Sequence, residues 1–126
     1  MAGVMAVCLE VMDRPWRWGA ADCCTAACDV FLRLYGVDPM EPLRGRYSSR
    51  VGALRMIALE GGWQAMAEGL ADRAGLISSD GRSGDIGLIR VDDTLALGIC
   101  TGAVWAGKSE RGLATVPEFE RAWRIA

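Results

Sequence analysis

Histidine is missing from all 126 residues. The side chain that most often moves protons near neutral pH is therefore absent, and with it the commonest metal ligand. A cysteine or serine hydrolase with an ordinary histidine base is excluded. An excess of basic charge is missing too: 14 Lys and Arg stand against 16 Asp and Glu, a net charge of −2. That balance leaves no electrostatic footprint for nucleic acid. No apolar run approaches the roughly 20 residues of a membrane-spanning helix. The apolar start, Met1 to Met12, carries Glu10 and lacks a basic leader and a small-residue cleavage pattern, so neither an export signal nor membrane insertion is expected. No Cys-x-x-Cys pair occurs, which removes the usual redox dithiol and zinc-ligand spacings, and no cofactor is implied.

What is present fits one domain, residues 1–126, long enough to bury a core without staples. Hydrophobic residues make up 52%, which argues against disorder and suggests that a partner covers some apolar surface. Five cysteines is an odd number, and Cys23, Cys24 and Cys28 crowd a turn and a half of one expected helix. Helical neighbours lack the geometry for a disulfide, so reduced thiols and synthesis in the cytoplasm are expected.

Periodicity divides the chain. A first helix is expected over Gly3 to Met12, closed by Asp13-Arg14-Pro15, and a loop follows from Trp16 to Asp22. The clearest element is Cys23 to Tyr35, with Cys24, Ala27, Cys28, Phe31 and Tyr35 on one stripe, Asp22 as N-cap and Gly36 as stop. Asp29 and Arg33 lie opposite. A third helix, capped by Ser48 or Ser49, should turn Val51, Leu54, Ile57 and Ala58 inward and end at Gly61-Gly62. A weaker helix runs from Trp63 to Ala74 and carries Gly69. Beyond it the pattern shortens into strands over Asp85–Val91, Leu95–Cys100, Ala103–Trp105 and Gly112–Val116, with Lys108-Ser109-Glu110-Arg111 as a turn and Trp123-Arg124-Ile125 as an edge strand. Helices first and an antiparallel sheet after give an α+β order.

Chemistry concentrates at Cys23. It follows an aromatic, glycine-marked loop, opens a helix and lies about 100° from the first residue of the buried stripe, on the flank of the core. A thiol in a first turn feels the partial positive charge of unpaired N–H groups, which favours thiolate. The functional reading is a nucleophile; the bland one is a small buried hydrophobe. Asp22 is either a base or a helix cap, and a carboxylate held by backbone N–H groups makes a poor base at neutral pH. Cys24 and Cys28, with Cys8 or Cys100, form either a metal site or core, and the stripe favours core with no metal. Trp16, Trp18 and Trp63 are able to line a groove; Trp16 and Trp18 alternate along an extended loop, so one is core and the other a partner contact. Arg44 and Arg46, either side of Gly45, are solvated or hold a carboxylate or a partner. Asp85 fits local turn hydrogen bonds better than chemistry.

Trp18-Gly19-Ala20-Ala21-Asp22-Cys23 resembles the nucleophile motif of the NlpC-type cell-wall peptidases, which are small papain-like cysteine hydrolases. Ser83-Gly84-Asp85-Ile86-Gly87-Leu88-Ile89 resembles their Gly-Asp turn and the strand it leads into. Leu95-Ala96-Leu97-Gly98-Ile99-Cys100 resembles the following strand, where the family carries histidine two residues before the glycine. A phage- and prophage-encoded branch of that family is closer still, through Trp16-Arg17-Trp18-Gly19, Tyr35-Gly36-Val37-Asp38-Pro39, Arg44-Gly45-Arg46-Tyr47, Gly61-Gly62 and the ending Ala122-Trp123-Arg124-Ile125.

The resemblance implies a papain-like fold, with Cys23 at a helix start and its sulfur beside the strand of Ala96. The histidine position is Ala96, so the family histidine is lost. The third polar residue, expected near Ala103 to Trp105, is absent. The implied function is a tail-tip component of a phage or gene transfer agent that keeps a degenerate peptidase fold. It would be made in the bacterial cytoplasm and assembled into the particle tail, bind the tail hub or other tail-tip proteins through an apolar patch including Trp16, Trp18 or Trp105, and not hydrolyse peptidoglycan. The alternative is an active cysteine peptidase or amidase acting on peptidoglycan peptides, its base supplied from elsewhere. A free-standing thiol-redox or metal protein is the third class and lacks its ligand spacing.

Overall fold

Asp22 accepts the N–H groups of Cys24 and Thr25, and the Thr25 hydroxyl accepts the Asp22 N–H in return, so a full capping box starts the central helix, α2 (Cys23–Tyr35). Gly36 ends it at φ 73, where a side chain would be strained. The structure, a computed structural model, describes residues 3–126. The remaining helices are α1 (Val4–Met12), α3 (Arg50–Leu59) and α4 (Trp63–Arg73), with a 3-10 turn over Glu41–Leu43. The strands are β1 (Leu76–Ser79), β2 (Ile86–Val91), β3 (Thr94–Cys100), β4 (Trp105–Ser109), β5 (Gly112–Val116) and β6 (Arg121–Ile125). They form one sheet in the order β1-β6-β2-β3-β4-β5, with every pairing antiparallel. The architecture is α+β, with the helices preceding the sheet in the chain.

Small side chains let α2 sink between α1 and the sheet. Cys24, Ala27, Cys28 and Phe31 are buried as the stripe requires, and so are Thr25, Ala26 and Val30 on its flanks. Tyr35, expected at the end of the stripe, is 41% exposed; its ring packs on Phe31 at 4.6 Å between centroids. Asp29, on the outer side, takes Arg44 at 2.6 Å, and Arg44 also holds Asp38 at 2.7 Å. Arg44 is thus a carboxylate clamp that pins the loop after α2.

The third helix turns differently from the expectation. Ala53 and Met56 face inward and Ile57 packs partly buried against the core as expected, while Val51 is 62% and Leu54 51% exposed, and Ala58 is exposed. The cause is close packing: Ser49 caps the Gly52 N–H at 3.0 Å, and Gly52 lies so near Tyr47 that a Cβ would come within 3.3 Å of it. The small face Gly52–Ala53–Met56 therefore takes the inside.

Three strand expectations also change. The Thr101 side chain and N–H both bond the Val104 carbonyl at 2.8 Å, so a turn occupies Gly102–Val104, and of the segment read as the strand Ala103–Trp105 only Trp105 lies in one. The strand starts at Trp105 and carries Lys108, which the sequence pattern placed in a turn. The C-terminal strand β6 is interior, between β1 and β2, rather than an edge. The edge on that side is β1, whose burial does not alternate and which the sequence pattern does not reveal.

A main core joins the helices to one face of the sheet. A smaller core of Ile89, Val91, Ala96, Cys100, Trp105 and Ala122 lies on the other face, with Cys23 packed against it as well. Trp105 was expected among the partner-contact candidates; it is 3% exposed here, against Phe119 at 5.0 Å between centroids. Gly87 makes room for it, since a Cβ at that position would come within 2.7 Å of the indole. Trp105→Ala should cost about 3–5 kcal/mol of stability. Leu59→Ala, at a side chain 81% exposed, should stay within about 0.5 kcal/mol. Urea unfolding of both variants checks the pair.

Candidate functional site

The loop before α2 is a closed turn. Arg17 and Ala21 exchange backbone bonds of 3.0 and 2.7 Å. Gly19, at φ 83 between them, lies where any Cβ would collide with the Tyr47 carbonyl. Asp22 ties this turn to the rest. One carboxylate oxygen accepts Cys24 N–H at 3.0 Å, Thr25 N–H at 2.9 Å and the Thr25 hydroxyl at 3.1 Å; the other accepts Gly19 N–H at 2.8 Å and the Tyr47 hydroxyl at 2.6 Å. The side chain is 1% exposed. With its oxygens occupied this way, Asp22 serves as a helix cap and a loop anchor.

Cys23 is the first residue of α2, half-buried, and touches the inner core that contains Ala96. Both residues border a cavity of about 420 Å³. The arrangement matches the expectation of a sulfur beside the Leu95–Cys100 strand. Ala96 is a buried methyl group, 4% exposed, paired across the sheet with Ile89. The Tyr47 phenol donates to Asp22, and burial, with Cys24 and Asp22 nearby, pushes its pKa far above the usual range. The Cys24 thiol is raised by its hydrogen bond to Cys23 and by burial, and the Cys28 thiol by burial. Neither phenol nor thiol is available as a base near neutral pH.

Lys108 is the site residue that the sequence reading missed. It borders the cavity, is 2% exposed, and its Nζ donates to the carbonyls of Met12, at 2.8 Å, and Arg14. Burial lowers its pKa, and Arg14 acts in the same sense. A lysine beside serine, glutamate and arginine reads as a solvated turn, so composition offered no signal. Its bonds cap the C-terminal end of α1 and hold the chain leading into the Trp16 loop.

Trp16 and Trp18 stand edge to face, 5.0 Å between centroids and 80° between planes, and both are half-buried. They border the Cys23 cavity on one side and a second hollow, with Arg17, Gly45 and Ser48, on the other. The buried Trp16 Nε1 has no hydrogen-bond partner. Trp63 closes the far wall of the cavity. Asp85 lies away from Cys23: it accepts the Arg82 N–H at 2.7 Å and the Ser79 hydroxyl and shapes the turn into β2. Among the described residues, no three of Cys, Asp and Glu gather in a metal-binding arrangement, and no helix is long and apolar enough to cross a membrane.

Residues 2–125 match the family model DUF6950, described as a domain of unknown function. The chain belongs to that family. No curated protein and no solved structure matches it.

Two outcomes follow from this wiring. Asp22→Ala removes a helix cap worth about 0.5–2 kcal/mol and strands the buried Tyr47 hydroxyl at a further cost of about 1–3 kcal/mol, so its denaturation midpoint should fall well below that of Ser49→Ala, a cap alone. Stability should also decline in alkali. Burial pushes Cys8 from 9.0 to about 11, and Cys24, Cys28 and Tyr47 are raised too. The unfolded chain releases these protons first, so their contribution is complete below about pH 9 and is lost as pH climbs through the folded values. Lys108, lowered in the fold, works in the opposite direction. Thermal melts from pH 7 to 11 under reducing conditions should show a net fall beginning near pH 9; a rising midpoint would contradict the burial of the thiols.

Proposed function

We propose that the chain is a tail-tip component of a phage or gene-transfer-agent particle, with a degenerate NlpC-type, papain-like fold, acting through protein–protein contacts. The observation that carries this reading is Ala96: on the wall of the Cys23 cavity, where the resemblance would put a proton carrier, stands a buried methyl. The surroundings support it. Asp22 is saturated by donors, Tyr47 is committed to Asp22, and Lys108 is committed to two carbonyls. General acid–base catalysis typically contributes about 10²–10⁴-fold, and none of these three groups is free to supply it. The contact side is the Trp16–Trp18 wall; Trp105 has no part in it. Such a protein would be made in the bacterial cytoplasm and assembled with the tail hub or its neighbours.

The second reading is an active cysteine peptidase or amidase on peptidoglycan peptides. It draws support from Cys23 itself, half-exposed toward a cavity of about 420 Å³. It needs a base from another subunit or an unusual base in place of histidine.

Incubation of the isolated chain with purified sacculi, followed by chromatography of released muropeptides, separates the two. No product above the Cys23→Ser control is expected. Product abolished by that substitution would establish the enzyme. Fractionation of particles should find the chain with the tail; its absence there would end the structural reading.

A further inference from the structure

Helix α3 turns an apolar face to solvent. At about 100° per residue, Leu54, Ala58 and Val51 fall within an arc of about 60° on its outer side. Arg50 lies about 40° beyond one margin of that arc and Arg55 about 40° beyond the other. All five are exposed, Val51 to 62% and Leu54 to 51%, and Leu59 follows at the end of the helix at 81%. Val51, Leu54 and Ala58 are side chains that the sequence pattern put inside; close packing at Gly52, Ala53 and Met56 leaves them out.

The charge along this face has one sign. Between Glu41 and Glu60 the chain carries Arg44, Arg46, Arg50 and Arg55 and no acidic residue, within a molecule of net charge −2. Arg44 is held by Asp29 and Asp38. Arg46, Arg50 and Arg55 are exposed and hold no carboxylate among the described residues. Glu60, the first acid beyond the helix, is taken by Arg73. Asp92 and Glu110 border the Cys23 cavity, as Arg50 and Leu54 do, but they belong to the tips of the β2–β3 and β4–β5 hairpins, where Arg111 stands with them. Val51, Arg55, Ala58 and Leu59 do not border that cavity, so most of the face lies outside it.

An exposed apolar stripe bracketed by cations is the pattern of a helix that lies in a membrane interface, its apolar side chains at the acyl boundary and its basic groups among anionic headgroups. We propose that α3 and Arg46 seat the protein on an anionic lipid surface, Val51, Leu54 and Leu59 entering the interface and Arg46, Arg50 and Arg55 meeting the headgroup phosphates. The protein lies on that surface without crossing it: among the described residues no helix is long and apolar enough to span. A protein partner fits less well. One face of a ten-residue helix, about 15 Å long, is well short of the roughly 800 Å² that a standard interface takes from each partner. A lipid surface asks for no matching shape. The inference does not rest on the tail reading.

Flotation of the full-length chain with unilamellar vesicles tests it. An equal mixture of phosphatidylglycerol and phosphatidylcholine should carry the chain upward at low salt, and phosphatidylcholine alone should bind at least about tenfold less. Salt should weaken the binding as it screens the charges. Arg50→Glu/Arg55→Glu should cut binding to the mixed vesicles at least about tenfold, and Leu54→Glu should cut it as well. Arg82→Glu, an exposed charge reversal in the β1–β2 turn, should stay within about twofold of wild type. All the changed side chains are exposed, so their thermal melts should match the wild type. Arg50→Gln/Arg55→Gln, which should also weaken binding, serves if the reversed pair melts early. No flotation, equal flotation with neutral vesicles, binding that survives the α3 changes, or an equal loss from Arg82→Glu would each overturn the proposal. If the chain ignores vesicles while Leu54→Glu dissolves a dimer in light scattering or bars the chain from tails, the face belongs to a protein and the lipid surface falls. A chain found in tails that does not float leaves the tail reading standing without this one. A chain absent from tails that floats through α3 does the reverse.

Discussion

The carboxylate of Asp22 is the junction on which the site depends. It joins three parts of the chain: the first turn of α2, the closed loop at Gly19, and Tyr47, which lies 25 positions away in sequence. The bonds run from 2.6 to 3.0 Å and are buried or partly buried, so each satisfies a donor with little access to water. The aspartate therefore fixes where Cys23 sits, how the two tryptophans approach it, and where α3 begins. The same commitment removes it from chemistry. Positioning and proton transfer compete for one side chain here, and positioning has taken both oxygens.

A second constraint is the thickness of the sheet's inner core. Gly87 and Gly98 carry no side chain where the indole of Trp105 and the end of Ile89 need the space. Motif glycines that look like turn markers in the sequence are, in these strands, vacancies that larger neighbours fill. The helices obey the same rule, since α2 reaches the sheet through alanine and cysteine and α3 approaches Tyr47 through Gly52. Close approach through small residues is what leaves Val51 and Leu54 of α3 outside.

Local signals in the sequence were sufficient for α2. Cap, stop and stripe all agree there, and its bounds follow directly. The placement of Cys23 at the start of α2 was legible from the cap at Asp22 and the buried stripe that follows it. Other features depend on contacts that no local pattern records. The face of α3 is decided by Tyr47, outside the helix. The strand β1 pairs with β6 from the far end of the chain, and its own four residues show no alternation. Lys108 resembles a turn residue by type and is buried because two carbonyls near the end of α1 await a donor. Trp105 has the character of a surface anchor and is core because Gly87, on a neighbouring strand, gives way to it.

The buried methyl of Ala96 also bears on the space beside the thiol. It belongs to an apolar cluster with Ile89 and Val91 and at the same time borders the Cys23 cavity. A larger side chain at position 96 would have to take its volume either from that cluster, at a cost in packing, or from the cavity. The smallness of this one residue is thus part of what keeps the space beside Cys23 open.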